Sequence, residues 1–316
     1  MNDKLSQSEE YITFRSSVPL RQIVVDDDST KSWKLFDSGP RSISCPLVCL
    51  PPVGSGAEVF YKQIMFLTAL GYRVIALDYP VYWSVDEFCT GFRNVINSLK
   101  LNQIHIFGCS LGGFLALKFL EQNINRQYVV SLFLCNAFMD SSYLHKKWIS
   151  STLWALPSVV LKRMLHKDFP GPDSQRSIDM EQVKALDFAS DSLNCLNQKK
   201  LASRLATCYK NDYARYLHHL QNMPVTLMDV YDDNSIPQYV RDDMHKSFPH
   251  AKHAHLKTGG KLPFLSRSSE VNLHLRLHLR PYEHLPISPL LPTTSSSSFF
   301  VNKEESCKTE QVIESK

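Results

Sequence analysis

The chain has 316 residues, 43% hydrophobic and 21% charged, with a net charge of +4. These values are ordinary for a globular protein, and the length allows one large α/β domain with an insertion. Its basic residues are scattered and are not interleaved with aromatic residues, which argues against nucleic-acid binding. We expect no signal peptide at the polar N-terminus and no bilayer-spanning segment, because every apolar run is far shorter than the roughly 18 residues required.

The eight cysteines are widely spaced and include no CxxC pair, so a zinc site has little support. Without a signal peptide they indicate reduced thiols and a cytosolic setting. His253 and His255 form an HxH pair that strand alternation explains more simply than metal binding does. We therefore expect no metal and no cofactor.

Strands and helices alternate through the first half of the chain. Apolar runs at 46–50, 72–77, 104–109 and 128–134 predict buried strands, separated by segments with apolar residues at helical spacing. The clearest helix start is Ser84 with Glu87 three residues later, a capping box. Runs that are apolar on both faces predict a mostly parallel sheet covered by helices on both sides, which is an α/β fold.

The alternation stops at about 139 and resumes at about 222, and we interpret 139–222 as a helical cap inserted into the sheet domain. A plain helical extension with no part in a site is the alternative. Beyond it come a strand at 225–231, a helix near 242–248, a strand at 253–257 and a closing helix at 268–280. These elements predict one domain over 1–280, and the serine- and proline-rich composition predicts a disordered tail over 281–316.

A nucleophile elbow is the most specific motif. The strand at 104–109 leads directly into Ser110 and an apolar helix, and small residues surround the serine at Gly108, Gly112 and Gly113. This strand–turn–helix context is typical of the α/β-hydrolase fold, where the serine hydroxyl lies at the carboxyl edge of the sheet. Ser110 is therefore a candidate nucleophile, or a structural or ligand-binding hydroxyl.

The partners of this serine are incomplete. Asp233 follows a late strand, where the fold places its acid, although the same residue can also serve as a loop cap. The loop that should carry the histidine reads Thr-Gly-Gly-Lys-Leu-Pro and has Lys261 instead. A protonated lysine cannot accept the serine proton. A Ser–Lys dyad, or rescue by one of the upstream histidines, remains a weaker alternative. These histidines are His250, His253 and His255.

The predicted oxyanion hole also differs from the usual pattern. The first buried strand is followed by Pro51-Pro52-Val53-Gly54-Ser55, and proline has no N–H to donate. Val53 and Leu111 retain their N–H groups. With the positive charge of Lys261, they are candidate ligand-binding groups for an anion.

Specific runs of the sequence resemble the maspardin family of α/β-hydrolase-like proteins over about residues 10–280. Those runs include GYRVIALDYPVYW, FGCSLGGFLALKF, LASRL, PVTLMDV and AHLKTGGKLPFLSRSSEVNL. The resemblance implies a cytosolic adaptor that associates peripherally, through partners, with endosomal and trans-Golgi membranes. It implies binding to the cytoplasmic tail of a T-cell co-receptor, whose signalling it restrains, and to an aldehyde dehydrogenase. It also implies no established hydrolase activity.

Two functions are therefore compared. The first is a non-catalytic binding protein, a pseudoenzyme whose site under the cap would accept an apolar peptide end or an acyl chain. A peptide carboxylate is one ligand that fits its anion-binding groups. The second is a serine hydrolase that acts on an ester or thioester through Ser110 with a non-standard base.

Overall fold

A mostly parallel sheet forms the centre of the molecule. The computed structural model describes residues 4–25, 31–123, 128–144, 152–166, 178–215 and 222–290. Within these ranges the sheet has eight strands in the order β1-β2-β4-β3-β5-β6-β7-β8. Their bounds are β1 Leu20–Val24, β2 Ser32–Ser38, β3 Leu47–Leu50, β4 Val74–Asp78, β5 Ile104–Cys109, β6 Val129–Cys135, β7 Val225–Val230 and β8 Lys252–Leu256. The β1–β2 and β2–β4 pairs are antiparallel, and every later pair is parallel.

Helices cover both faces of the sheet, as the apolar runs predict. Those described are α1 Glu9–Ser17, α2 Tyr61–Ala69, α3 Val85–Ser98, α4 Leu111–Gln122, α5 Ser158–His166, α6 Met180–Cys195, α7 Gln198–Tyr209, α8 Gln238–Ser247, α9 Pro263–Ser266 and α10 Ser268–Leu279. One core contains α3, α4 and α8, and the other contains α1, α2 and α10. Every residue of β3 and of β5 is buried, because each strand has a core on both of its sides. No helix in these ranges combines the length and the apolar character needed to cross a membrane.

The predicted capping box forms at the start of α3. Ser84 Oγ accepts a hydrogen bond from Glu87 N at 3.1 Å, and Glu87 Oε2 accepts one from Trp83 N at 3.1 Å. The N-terminal elements α1, β1 and β2 have no counterpart in the sequence analysis. The reason is visible in β1, where exposed and partly buried residues alternate and no strongly apolar run marks the strand.

The predicted cap, 139–222, falls between β6 and β7, and its described helices are α5, α6 and α7. Their inner faces supply buried leucines to the core that also contains α4. These are Leu161, Leu165, Leu193, Leu201 and Leu205. The remaining parts of the cap, residues 145–151, 167–177 and 216–221, lie outside the described residues.

The folded part of the chain extends past 280, where the sequence analysis places the start of the tail. Tyr282 is buried and its ring lies 4.7 Å from the His105 ring, and Pro289 O accepts a hydrogen bond from Arg73 N at 2.8 Å. The composition-based boundary is therefore about ten residues too early. A few anchoring residues order this segment although its average composition is that of a tail. Residues 291–316 lie outside the described residues.

Candidate functional site

Ser110 occupies a strained turn between β5 and α4. Its φ is 49° and its ψ is −116°, a conformation that non-glycine residues seldom adopt, and its side chain is partly exposed. The neighbouring glycines permit this close approach. A Cβ on Gly112 would lie 2.2 Å from Leu50 O, one on Gly108 would lie 2.7 Å from Gly113 Cα, and one on Gly113 would lie 2.5 Å from a neighbouring Cβ. At such separations a larger residue at any of the three positions would force neighbouring atoms to shift.

The turn leaves donor groups at the start of α4. Ser110 N donates to Cys135 O at 3.0 Å, and Ser110 O accepts from Gly113 N and Phe114 N. The amides of Leu111 and of the next residue belong to the first turn of the helix, where N–H groups have no intrahelical acceptor. They provide the partial positive charge that favours an anion beside Ser110.

The loop after β3, which contains Val53, is hydrogen-bonded to the cap. The guanidinium of Arg204, on α7, is fully buried and donates to Ser55 O at 2.5 Å and to Val53 O at 3.3 Å. It also donates to Asp78 Oδ1 at 2.7 Å and lies 4.2 Å from the centre of the Tyr79 ring. One side chain of the cap therefore sets the path of the predicted oxyanion loop.

A second cation shares this carboxylate. Lys200 Nζ donates to Asp78 Oδ2 at 2.7 Å. Burial lowers the pKa of Lys200 to about 8, and the nearby charge of Arg204 acts in the same direction. Two cations on one carboxylate make the contact between cap and sheet an electrostatic one as well as an apolar one.

Asp233 is buried, and each of its carboxylate oxygens accepts one hydrogen bond. Oδ2 accepts from Asn136 Nδ2 at 3.0 Å, and Oδ1 accepts from Ser235 N at 3.0 Å. The same Asn136 amide nitrogen donates to Gly260 O at 3.3 Å. Asn136 follows β6 in a left-handed conformation with φ 45°, which turns its side chain away from the line of the strand. Among the described residues, no donor reaches its buried Oδ1.

The neighbouring acid, Asp232, holds the loop that carries Lys261. Its carboxylate accepts from Gly260 N at 2.8 Å and from Gly259 N at 3.1 Å. It also accepts from Gln182 Nε2 of the cap at 2.7 Å. Both glycines have positive φ, so the loop makes a tight turn before Lys261, which is partly exposed. The structure thus brings the 259–261 loop, both acids and the cap together.

The alternative bases lie elsewhere. His253 and His255 project from the exposed face of β8, where their rings stack at 5.9 Å, and His255 also stacks on Tyr231. Three strand spacings, roughly 14 Å, separate β8 from β5. His250 is exposed in the loop before β8. In the part of the chain that the structure describes, no imidazole hydrogen-bonds the Ser110 hydroxyl.

The sequence analysis did not identify Asn136 or Arg204 as residues of the site. Their partners lie 97 and 126 residues away along the chain, so no local pattern shows them. Arg204 did leave a signal, because it is an arginine inside the apolar run LASRL. Within the described ranges, no group of three His, Cys, Asp or Glu side chains is arranged to hold a metal ion.

Comparison with known proteins agrees with this geometry. A family model described as alpha/beta hydrolase fold matches residues 46–268. Human maspardin is 44% identical over 294 residues, which cover 93% of this chain and 94% of the human protein. The zebrafish (Danio rerio) maspardin is 44% identical over 296 residues and 93% of each chain.

The chain belongs to the maspardin family. Its fold extends to distant hydrolases, such as the enol-lactonase from Burkholderia xenovorans LB400. That structure has a TM-score of 0.68 at 13% identity, and the match covers 82% of this chain and 100% of that one. At this identity the likeness shows the fold alone. The maspardin family is thus one branch of the α/β-hydrolase fold, and this member retains the serine elbow.

Proposed function

We propose that this maspardin-family protein is a non-catalytic adaptor, a binding protein built on a hydrolase scaffold. The observation that carries the proposal is that Asp233 accepts from the Asn136 amide and a backbone N–H, and that among the described residues no imidazole bonds to it or to Ser110. In a serine hydrolase the acid orients an imidazole, which takes the serine proton. A carboxamide cannot accept that proton at neutral pH, so Ser110 lacks the base that would activate it.

The same site is suited to holding an anion. The first N–H groups of α4 lie beside Ser110, and Lys261 follows the Gly259-Gly260 turn. A terminal carboxylate is the anion that we propose, since backbone donors at a helix N-terminus commonly capture this group. The apolar part of the ligand would contact leucines of the cap, where Leu165 and Leu193 approach Gly54.

The partner proposals rest on the family resemblance. We propose that the ligand is the cytoplasmic tail of a membrane receptor and that a member of the aldehyde dehydrogenase family is a second partner. The expected location is the cytosol, with peripheral association at endosomal and trans-Golgi membranes. A receptor tail ends in a free carboxylate, which is the chemistry that this site favours.

A fluorophosphonate probe tests the absence of catalysis. Such probes label only a serine that a neighbouring base activates. We expect no labelling of the wild-type protein under conditions that label an active esterase in the same tube. Labelling of the wild type that disappears in Ser110→Ala would overturn the proposal. It would establish the second candidate, an ester or thioester hydrolase, which the strained turn at Ser110 favours.

Peptide capture tests the anion site. A pooled library of hexapeptides with apolar C-terminal residues is offered to the immobilised protein in two forms, with free and with amidated carboxyl groups. We expect selective retention of the free form by the wild type and its loss in Lys261→Glu. The matched control is Lys257→Glu, an exposed lysine four residues away. Equal retention of both forms, or an unchanged Lys261→Glu variant, would contradict the proposal.

A further inference from the structure

Helix α10 presents two leucines to solvent on one face. Leu273 is 54% exposed and Leu277, one turn further along the helix, is 49% exposed. The opposite face, which contains Val271 and Leu275, is fully buried in the core. The helix is therefore apolar toward the core and also toward the outside, where polar residues would be expected. Neighbouring exposed leucines on one helix face, unlike scattered single ones, are a feature of contact sites.

A charge of opposite sign bounds the two leucines at each end. Glu270 is exposed and lies three residues before Leu273. Arg280 is also exposed, lies three residues after Leu277, and continues the helix with φ −51° and ψ −39°. Spacings of three, four and three residues place all four side chains on one face of the helix. We call Glu270, Leu273, Leu277 and Arg280 the α10 stripe.

The α10 stripe is complementary to itself. Its residues are symmetric about position 275, because 270 and 280 are equally distant from that position, and so are 273 and 277. When two copies of α10 pack antiparallel about a two-fold axis at this position, each glutamate faces the arginine of the second copy and each Leu273 faces a Leu277. A parallel pairing would place glutamate against glutamate and arginine against arginine, and these like charges would repel each other.

We propose that the protein self-associates through the α10 stripe, as a two-fold dimer in which the two α10 helices are antiparallel. The leucines form the apolar centre of the interface, and the Glu270–Arg280 pairs flank it. The antiparallel arrangement also brings the positive end of each helix dipole beside the negative end of the other. A different protein would have to reproduce this order of charges and leucines, whereas a second copy supplies it by symmetry. The inference does not depend on the proposed function of the Ser110 site.

Helix α2 extends the apolar part of this surface. Gln63 Nε2 of α2 donates to Asn272 Oδ1 of α10 at 3.1 Å, so the two helices lie side by side. Phe66 and Leu70 follow Gln63 by three and seven residues and therefore lie on the side of α2 toward α10, where they are 38% and 40% exposed. An interface of two short helices and these margins is at the small end of the usual range, roughly 1,200 Å² in total, so we expect a dimer that dissociates at micromolar concentrations.

The direction of α10 sets where the two candidate sites lie in the dimer. The helix starts beside the 259–261 loop, where Ser266 Oγ donates to Gly259 O at 2.7 Å. Near its end, His278 Nδ1 accepts from Thr226 Oγ1, at the start of β7, at 2.8 Å. Helix α10 therefore runs from the carboxyl ends of the parallel strands toward their amino ends. Antiparallel pairing reverses this direction in the second copy, so the two Ser110 sites lie toward opposite ends of the dimer.

Sedimentation velocity of the full chain, from about 1 μM to about 100 μM, tests the inference. We expect the wild type to change from monomer to dimer over this range. The double variant Leu273→Ser/Leu277→Ser should associate at least about tenfold more weakly, because the apolar contact is lost. The matched control is Val159→Ser, which removes an exposed valine (73%) from α5, outside the α10 stripe, and should associate as the wild type does.

Charge reversal tests the antiparallel register. Glu270→Arg and Arg280→Glu should each weaken self-association about tenfold, because each places like charges opposite each other in both pairs of the dimer. An equimolar mixture of the two variants should associate as the wild type does, since one variant then has arginine at both ends of the stripe and the other has glutamate. Recovery in the mixture also shows that both variants are folded.

Three results would each overturn the inference. The first is a wild type that stays monomeric throughout the concentration range. The second is undiminished association of the leucine double variant. The third is a mixture of the two charge variants that associates no better than either variant alone.

Discussion

At Gly112 the last residue of β3, Leu50, and helix α4 approach so closely that an added methyl group would disturb the local structure. We predict that Gly112→Ala lowers the free energy of unfolding by about 2–4 kcal/mol, because the added Cβ would meet backbone, which cannot move aside. The Leu50 carbonyl oxygen would be 2.2 Å away. Urea denaturation measures the loss.

Gly54→Ala is the matched control for this substitution. Its Cβ would have only ordinary contacts, at 3.6 Å from two leucine side chains. It should therefore change the free energy of unfolding by less than about 1 kcal/mol. Equal effects of the two substitutions would show that Gly112 and the Leu50 carbonyl are not in the close contact described.

A second prediction concerns the missing base. Replacing the lysine alone, in Lys261→His, should leave hydrolysis of p-nitrophenyl acetate at the level of Ser110→Ala. The new imidazole would have to compete with the Asn136 amide for Oδ2 of the buried Asp233, so its tautomer and orientation would be poorly fixed. A Ser110-dependent rise in the rate would mean that lysine alone silences the site.

The limits of the sequence are clear at this scale. Ser110 and its glycines were predictable, because a strand, a tight turn and a helix are consecutive in the chain. The role of Asn136 was not, because it depends on a left-handed turn after β6 and on a carboxylate brought close only by folding. Chemistry that depends on adjacent residues can be read from a sequence, whereas chemistry assembled across strands requires the fold.

At the scale of elements, Arg204 joins helix α7 to the loop after β3. We predict that Arg204→Met destabilises the protein by about 3–5 kcal/mol, because it leaves the Asp78 carboxylate and two backbone carbonyls short of a donor. Arg204→Lys should recover little, since a single ammonium group cannot span all three acceptors. Thermal unfolding measures both variants against Lys199→Ala, an exposed neighbour on the same helix.

Hydrogen exchange shows whether Arg204 positions the loop after β3 or stabilises the whole domain. In Arg204→Met, faster exchange should concentrate in the loop at residues 53–56, while amides of β5 and β6 keep their protection. Uniformly faster exchange over the sheet would indicate that Arg204 supports the whole domain and does not position the loop.

Elements differed in how far their sequences revealed them. Helix α3 was predictable because Ser84 and Glu87 mark its start and its apolar face is regular. Strand β1 was not, because it lies at an edge of the sheet with one face exposed and the other only partly buried, so its sequence has no strongly apolar face. Buried parallel strands gave strong signals for the opposite reason, since both of their faces are apolar.

Across the whole molecule, the two ends of the sheet have different roles. The Ser110 site lies at the carboxyl ends of the parallel strands, and a buried chain of hydrogen bonds lies at their amino ends. Because Ile287 O can only accept, His105 Nε2 donates to it at 2.9 Å, and Ser131 Oγ donates to His105 Nδ1 at 2.7 Å. His278 Nε2 then donates to Ser131 Oγ, and Thr226 Oγ1 donates to His278 Nδ1, each at 2.8 Å.

This network requires both imidazoles to be neutral and makes folding sensitive to acid. Burial lowers the pKa of His105 to about 4 and that of His278 to about 3, from 6.5. Their full contribution is present above pH 6.5. As the pH falls from 6.5 toward 4, the unfolded chain binds protons that the folded chain excludes, so stability decreases. The expected slope is about 1.4 kcal/mol per pH unit for each imidazole.

The last prediction therefore compares slopes and not absolute stabilities. Urea denaturation between about pH 6 and pH 4.5 should give a slope for His278→Gln that is smaller than that of the wild type by about 1.4 kcal/mol per pH unit. His284→Gln, which removes an exposed imidazole from the adjoining segment, should keep the wild-type slope. An unchanged slope in His278→Gln would mean that the buried imidazole accepts a proton in the folded state. The hydrogen-bond network described here, in which both imidazoles are neutral, would then be wrong.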